Sequence, residues 1–324
     1  SVTMGSSKSD FSFEADFLGE HFQVQRLGAD GNSKKAWELL RRQQASADAI
    51  GLGEVADHGH VGTTTIVNRA TKSLLNVVTR VPVTTGTTLR RLLQVHAVRH
   101  VQRELGHYFN NNLVLFLSGM RNYEIAVALS DYTKNLSFAD PVFQAGSPLL
   151  LTSLTQLELY AKGNEYVAGI KPWRMLEKSF SGLKNMRVAR AVRNAHVVVG
   201  SFDEIKAVGS PANLDGKTLI TAAVDDEQLA FYKKCKVNLV IDVSPKLFEH
   251  VVGIDALEAM ILAKLGRPAE EIADEDFAEI IAELGLEPRL LHPTGKFRNI
   301  RRFAFVIHPL SQELIRKSTS LPKG

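Results

Sequence analysis

Residues 109–141, FNNNLVLFLSGMRNYEIAVALSDYTKNLSFADP, constrain the fold more than any other stretch of the chain. LVLFL, at 113–117, is an unbroken apolar run of strand length, and SGMRN, at 118–122, is a small-residue turn. From Tyr123 to Tyr132 the apolar residues recur at helical spacing, with Ile125, Ala126 and Leu129 on one face. LSFAD, at 136–140, reads as a second short strand that ends in the carboxylate of Asp140. Strand, turn, helix and strand in that order make the β-α-β unit from which nucleotide-binding sheets are built.

The flanking sequence extends the pattern in both directions. SVTMG opens as a strand and runs into a Gly/Ser loop, and FSFEADF then alternates strictly. HFQVQRL returns, so 11–27 reads as a hairpin. Asn32 or Ser33 caps a helix over 33–45, and 49–53 is a buried strand. A long amphipathic helix over 87–108 turns Leu89, Leu92, Leu93, Val101 and Leu105 inward. After the β-α-β unit come strands at 197–199, 218–221 and 239–241, with a helix over 225–235 joining the last two. Helices follow at 255–265 and after Asp274, the latter stopping at Gly285, and 303–307 reads as a strand. Alternating strands and helices imply mostly parallel sheets covered on both faces. The expected architecture is α/β: two Rossmann-like domains, 1–108 and 109–265, facing each other across a cleft, with a helical and extended tail over 266–324.

Composition narrows the function classes. With 324 residues the chain is long enough for two cores. A net charge of +4 is far below that of a nucleic-acid-binding tail, so no nucleic-acid partner is expected. Cys235 is the single cysteine, which excludes an internal disulfide and suits a reducing, cytoplasmic setting. No apolar run approaches the roughly 20 residues that span a bilayer. Both ends read as cut from a longer protein.

Two loops have the composition of anion sites. At the turn Ser118-Gly119-Met120-Arg121-Asn122, backbone N–H groups at the end of a parallel strand favour phosphate, and Arg121 adds charge. Asp140, on the next strand, stands where dinucleotide folds place the acid that binds a ribose hydroxyl. Only one glycine is present, against three in the full dinucleotide fingerprint, and a structural turn remains the competing reading. The second loop, Gly5-Ser6-Ser7-Lys8-Ser9-Asp10, has the composition of a phosphate or carboxylate cradle, or of a polar turn into the hairpin, and lacks the spacing of an NTP-hydrolysing loop.

Other polar residues offer less. Arg99 and Arg103 share a helix face with His96 and His100, a spacing that suits a metal but lacks a third ligand. An acidic protein partner or a plain solvated face are the other readings. Cys235 in KKCK has lysine neighbours that would lower its pKa, but no paired histidine. His196 and His58-Gly59-His60 read as a strand edge and a surface loop.

Over about 1–262 the chain resembles bacterial quinate/shikimate dehydrogenase-like proteins. The resemblance rests on GSSKSD, GADG, DAIGLG, RVPVTTG, SGMRNYEIAVAL, FADPVF, HVVVGSF and GKTLITAAVDDEQL as an ordered set. It implies an NAD(P) cofactor and an oxidoreductase, with Ser118, Gly119 and Arg121 on phosphate and Asp140 on ribose. The Lys/Asp pair of true shikimate dehydrogenases has no counterpart in RVPVTTG, and residues 249–255 replace the family's polar turn before its last helix. FAFVIHPLS, at 303–311, resembles the opening strand of bacterial long-chain acyl-carrier-protein reductases. That resemblance implies a fatty acyl thioester substrate carried on a small acidic protein. Arg91, Arg99 and Arg103, with Lys296, Arg298, Arg301 and Arg302, would meet the carrier. The alternative function is a non-catalytic module that senses a small ligand bearing phosphate or carboxylate.

Overall fold

The computed structural model describes residues 1–55, 59–66, 68–147, 149–167, 181–245, 247–248, 252–267 and 271–295. The first lobe is built on strands β1 (Val2–Thr3), β2 (Phe11–Phe17) and β3 (Glu20–Gly28). Helix α1 (Ser33–Gln43) and strand β4 (Ile50–Gly53) follow. Asn32 starts α1, its side chain accepting from the Lys34 and Lys35 amides. A small hairpin, β5 (Gly59–Val61) and β6 (Thr64–Ile66), precedes helix α2 (Arg69–Leu75) and strand β7 (Val83–Thr84). The five-stranded sheet has the order β2-β3-β1-β4-β7, parallel except for the β2–β3 hairpin. Leu40, Ile50, Leu52 and Leu74 fill one side of it.

Helix α3 (Thr87–Glu104) carries the chain into the second lobe. Its start needs Gly86, whose φ is +75°. The expected β-α-β unit is present as β8 (Val114–Phe116), α4 (Tyr123–Ser130) and β9 (Leu136–Phe138). Helices α5 (Asp140–Ala145), α6 (Leu154–Val167) and α7 (Ser181–Asn194) lead to β10 (Val197–Val199). Then come α8 (Phe202–Val208), α9 (Pro211–Leu214), β11 (Thr218–Thr221), α10 (Asp226–Lys234) and β12 (Leu239–Asp242). Side chains alternate across this sheet. Val114, Phe116, Val197 and Val199 pack on one face with Ile125 and Leu129, whereas Leu115, Leu117 and Val198 pack on the other with Val188 and Tyr232. Both faces are therefore buried, which is why the strands read as continuous apolar runs.

The last elements correct the expected division at 265. Helix α11 (Ile254–Leu265) packs on β4 and β7 of the first lobe, not on the second sheet. Helix α12 (Asp274–Glu283) is not a loose tail: Phe277, Ile280 and Ile281 pack in one core with Leu89, Leu93 and Met260. Asp274 is the first residue of that helix rather than its cap. Strand β13 (Arg289–Leu291) returns to pair antiparallel with β12. Each lobe is therefore discontinuous in sequence, and apolar periodicity does not reveal which sheet a buried helix covers. The tail beyond 295, with its expected strand at 303–307, lies outside the described residues.

Candidate functional site in the cleft between the sheets

The second sheet has the order β9-β8-β10-β11-β12-β13, parallel up to β12. Counted within the sheet, the first five strands run 2-1-3-4-5, not the 3-2-1-4-5-6 order of the dinucleotide-binding fold. The order reverses between β8 and β10, and the loops after these strands part there, which in open α/β sheets opens a crevice. A cleft of about 510 Å³ lies at this place, lined by Arg121, Asn122, Gly200 and Ser201 from the second lobe. Leu52, Glu54 and Thr85 line it from the first lobe, at the carboxyl ends of β4 and β7, and Arg90 and Gln94 line it from α3.

The turn after β8 differs from its expected role. The Gly119 and Met120 amides do point toward an anion, but that anion is Asp140, whose Oδ2 and Oδ1 accept from them at 2.8 and 2.9 Å. Asp140 opens helix α5 and is 1 % exposed, so it is not a ribose ligand at a strand end. Burial pushes its carboxyl up to about 6, against the pull of the two amides. A Cβ on Gly119 would lie 2.4 Å from the Phe138 ring, so the glycine serves this internal packing. Ser118 is buried, and its carbonyl accepts from Asn122 Nδ2 at 2.8 Å. Of the four residues expected here, Arg121 is the one that lines the cleft.

Gly5, Ser6 and Ser7 fall outside the cleft lining. The Ser7 amide donates to Asp30 Oδ1 at 2.7 Å, and Ser6 Oγ accepts from the Lys8 amide at 3.2 Å, closing a single 3₁₀ turn. The Gly5 amide donates to Thr3 Oγ1 at 3.1 Å. The same arrangement recurs after β11, where Asp242 accepts from the Ala223, Val224 and Ser244 amides, each at 2.9 Å, and from Arg289. At three strand ends the chain's own aspartates take the backbone donors that a nucleotide-binding sheet offers to phosphate.

The glycines of DAIGLG and RVPVTTG bring a helix start against the sheet. A Cβ on Gly51 would lie 2.5 Å from the Asp255 carbonyl oxygen, and one on Gly86 would lie 2.6 Å from the Asp255 amide. Asp255 Oδ2 accepts from Ser1 Oγ at 2.5 Å. One turn further on, the buried Glu258 accepts from Thr84 Oγ1 and, at 2.7 Å, from the Leu89 amide, so it caps the start of α3. Burial is the main influence on this carboxyl, and it raises the pKa.

Gln94 and Glu258 are the residues that sequence reasoning missed. Gln94 is 6 % exposed and lines the cleft. Its signal was present in LRRLLQV: a polar residue one turn after Arg90, within an otherwise apolar stripe.

Other candidates are not brought together. His100 is buried with its Nδ1 3.9 Å from Glu287, whereas Arg99 and Arg103 are exposed. No group of three His, Cys, Asp or Glu suited to a metal occurs among the described residues. Arg91 forms an ion pair with Asp274. Cys235 is buried, and burial raises its pKa where lysine neighbours were expected to lower it. His196 Nδ1 accepts from the Leu113 amide at 3.2 Å, as suits a strand edge. His58, residues 249–251, Lys296, Arg298, Arg301 and Arg302 lie outside the described residues. Among the described residues no helix is long and apolar enough to cross a membrane.

These features define a two-lobed α/β protein whose sheets share a cleft at their carboxyl edges. The chain belongs to the family described as Domain of unknown function (DUF8754), which matches residues 88–293. Residues 1–85 match a second family, Domain of unknown function (DUF8753). No curated protein matches the chain. Two solved structures are similar to it at a low level. One is the 5-methylthioribose transporter solute binding protein from Thermotoga lettingae, in complex with 5-methylthioribose. It is 11 % identical, covers 83 % of this chain and 75 % of that one, and has a TM-score of 0.33. The other is the substrate-binding protein of a sugar ABC transport system from Bordetella parapertussis 12822. It is 10 % identical over 83 % of this chain and 77 % of that one, with a TM-score of 0.34. Likeness at that level bears on neither fold nor ligand.

Proposed function

We propose that this chain is a ligand-binding α/β module that takes a small molecule into the cleft between its two sheets. One observation carries the reading. The amides that nucleotide-binding sheets give to phosphate are donated here to Asp30, Asp140 and Asp242, which leaves side chains as the ligand contacts. A cleft of about 510 Å³ falls in the range of small-molecule sites. A Rossmann-like, doubly wound second lobe belongs to the same reading, supported by the 2-1-3-4-5 order. So does a reducing, cytoplasmic setting, supported by the single cysteine.

The second reading is an NAD(P)-dependent oxidoreductase, related to quinate/shikimate dehydrogenase-like proteins and joined to an acyl thioester reductase. Arg121 beside the β8–β10 crevice favours it. An amide-shift screen of small fragments on the ¹⁵N-labelled chain tests both. The first reading expects shifts to cluster at Gln94, Asn122, Ser201 and Ser244; scattered shifts, or none, refute it. NADH and NADPH in the same screen decide the second: no shift at millimolar cofactor ends it.

A further inference from the structure

Resting on the ligand-binding reading, we infer that the cleft is built for an uncharged ligand: an apolar body of ring size that carries neutral hydroxyl or amide groups. The walls fit the body, with Leu52, Val224, Val243, Phe248 and Leu257 among them. Phe248 is held in place by two further rings, Phe13 at 5.6 Å and Phe17 at 6.3 Å between centroids. A fixed ring on an apolar wall suits a flat apolar body packed against it.

The charges around the cleft are matched within the chain. Glu54 pairs with Arg26 at 3.0 Å, and Asp255 Oδ2 accepts from Ser1 Oγ at 2.5 Å. Glu204 accepts from the Ser201 amide at 2.8 Å, and Asp225 accepts from the Gln228 amide at 2.8 Å. Arg289 is paired with the buried Asp242. Arg90 donates to the Thr85 carbonyl at 3.4 Å, and its charge acts on Glu258. Arg121 likewise has contacts of its own. Asp226 is exposed at the start of α10, where an ion pair with a ligand would contribute little. A charged ligand would therefore give up its water without gaining a counter-charge. An anion would in addition meet five carboxylates against three arginines among the described lining residues.

The other polar side chains on the lining are neutral. Gln94, Asn122, Ser201 and Ser244 are among them, from α3, the turn before α4, the loop after β10 and the loop after β12. Carboxamides and hydroxyls both donate and accept, so they recognise a hydroxyl or an amide without a charge on either side. The ligand's body then packs on the walls, and these groups orient it.

The test uses three probes of one shape on the full chain, followed by amide shifts: neutral benzamide, anionic benzoate and cationic benzamidine. Acetamide is the probe without a ring. Benzamide is expected to bind in the cleft at least about tenfold tighter than either ion, because each ion gives up its hydration unmatched. Acetamide, with no ring to bury, is expected to bind at least about tenfold more weakly than benzamide. Phe248→Ala, checked by an intact amide spectrum, should weaken benzamide about tenfold. Benzoate or benzamidine matching benzamide in the cleft would overturn the inference and leave the ligand-binding reading standing. Acetamide matching benzamide, or benzamide binding unmoved in Phe248→Ala, would also overturn it. Cleft residues unmoved by every probe would overturn both.

Discussion

The carboxyl of Asp140 accepts from two backbone amides and is still held up to about 6, because it is almost wholly out of water. In the unfolded chain the same group loses its proton near 3.8. Between those values the native state binds more protons, so this group's contribution to stability falls as pH rises from about 4 to about 6. At 1.36 kcal/mol per tenfold change in proton affinity, the fall amounts to about 3 kcal/mol. A carbon-detected NMR titration should show the Asp140 carboxyl turning over near pH 6; a midpoint below 4 would mean that the amides outweigh burial. Sequence showed the residue but not its role. A carboxylate two positions after a strand reads the same whether it faces a ribose or folds back under the preceding turn. The buried position of Gly119, against the Phe138 ring, decides between them, and it depends on packing across β8 and β9.

The regular elements were largely legible. Continuous apolar runs gave strands such as β8, alternation gave the β2–β3 hairpin, a cap placed α1 and helical spacing placed α4. The β5–β6 hairpin, α5, α8 and β13 were not, because three to seven residues carry too little periodicity to stand out. Nor was the destination of α11, which is buried along most of its length and would suit either sheet by pattern alone. The glycines of β4 are the trace of its true partner. Gly51→Ala places a methyl 2.5 Å from the Asp255 carbonyl oxygen, a backbone atom that moves only with the helix. It should cost about 1–3 kcal/mol, the usual range for overpacking. Gly163→Ala, within α6 and with nothing inside 4 Å, should instead stabilise by about 0.5–1 kcal/mol. Urea denaturation measures both; equal midpoints for the two variants would remove the close approach of α11 to β4 as a constraint on the fold.

At the scale of the molecule, α3 joins two cores. Leu89 and Leu93 lie in the first-lobe core, and Ala97, Val98 and Val101 in that of the second. Arg90 and Gln94 sit between these two sets and line the cleft, so a ligand there touches the element that both lobes share. The cleft was expected from the sequence, since two mostly parallel sheets open at their carboxyl edges. Its polar contacts were not, because the loops that looked ready for phosphate are closed by internal aspartates. Hydrogen–deuterium exchange with the tightest-binding fragment of the screen tests the central claim most directly. Slower exchange is predicted at 50–55 in the first lobe and at 118–126, 200–204 and 243–245 in the second, all together. Protection confined to one lobe, or absent from these segments, would contradict a ligand held between the two sheets.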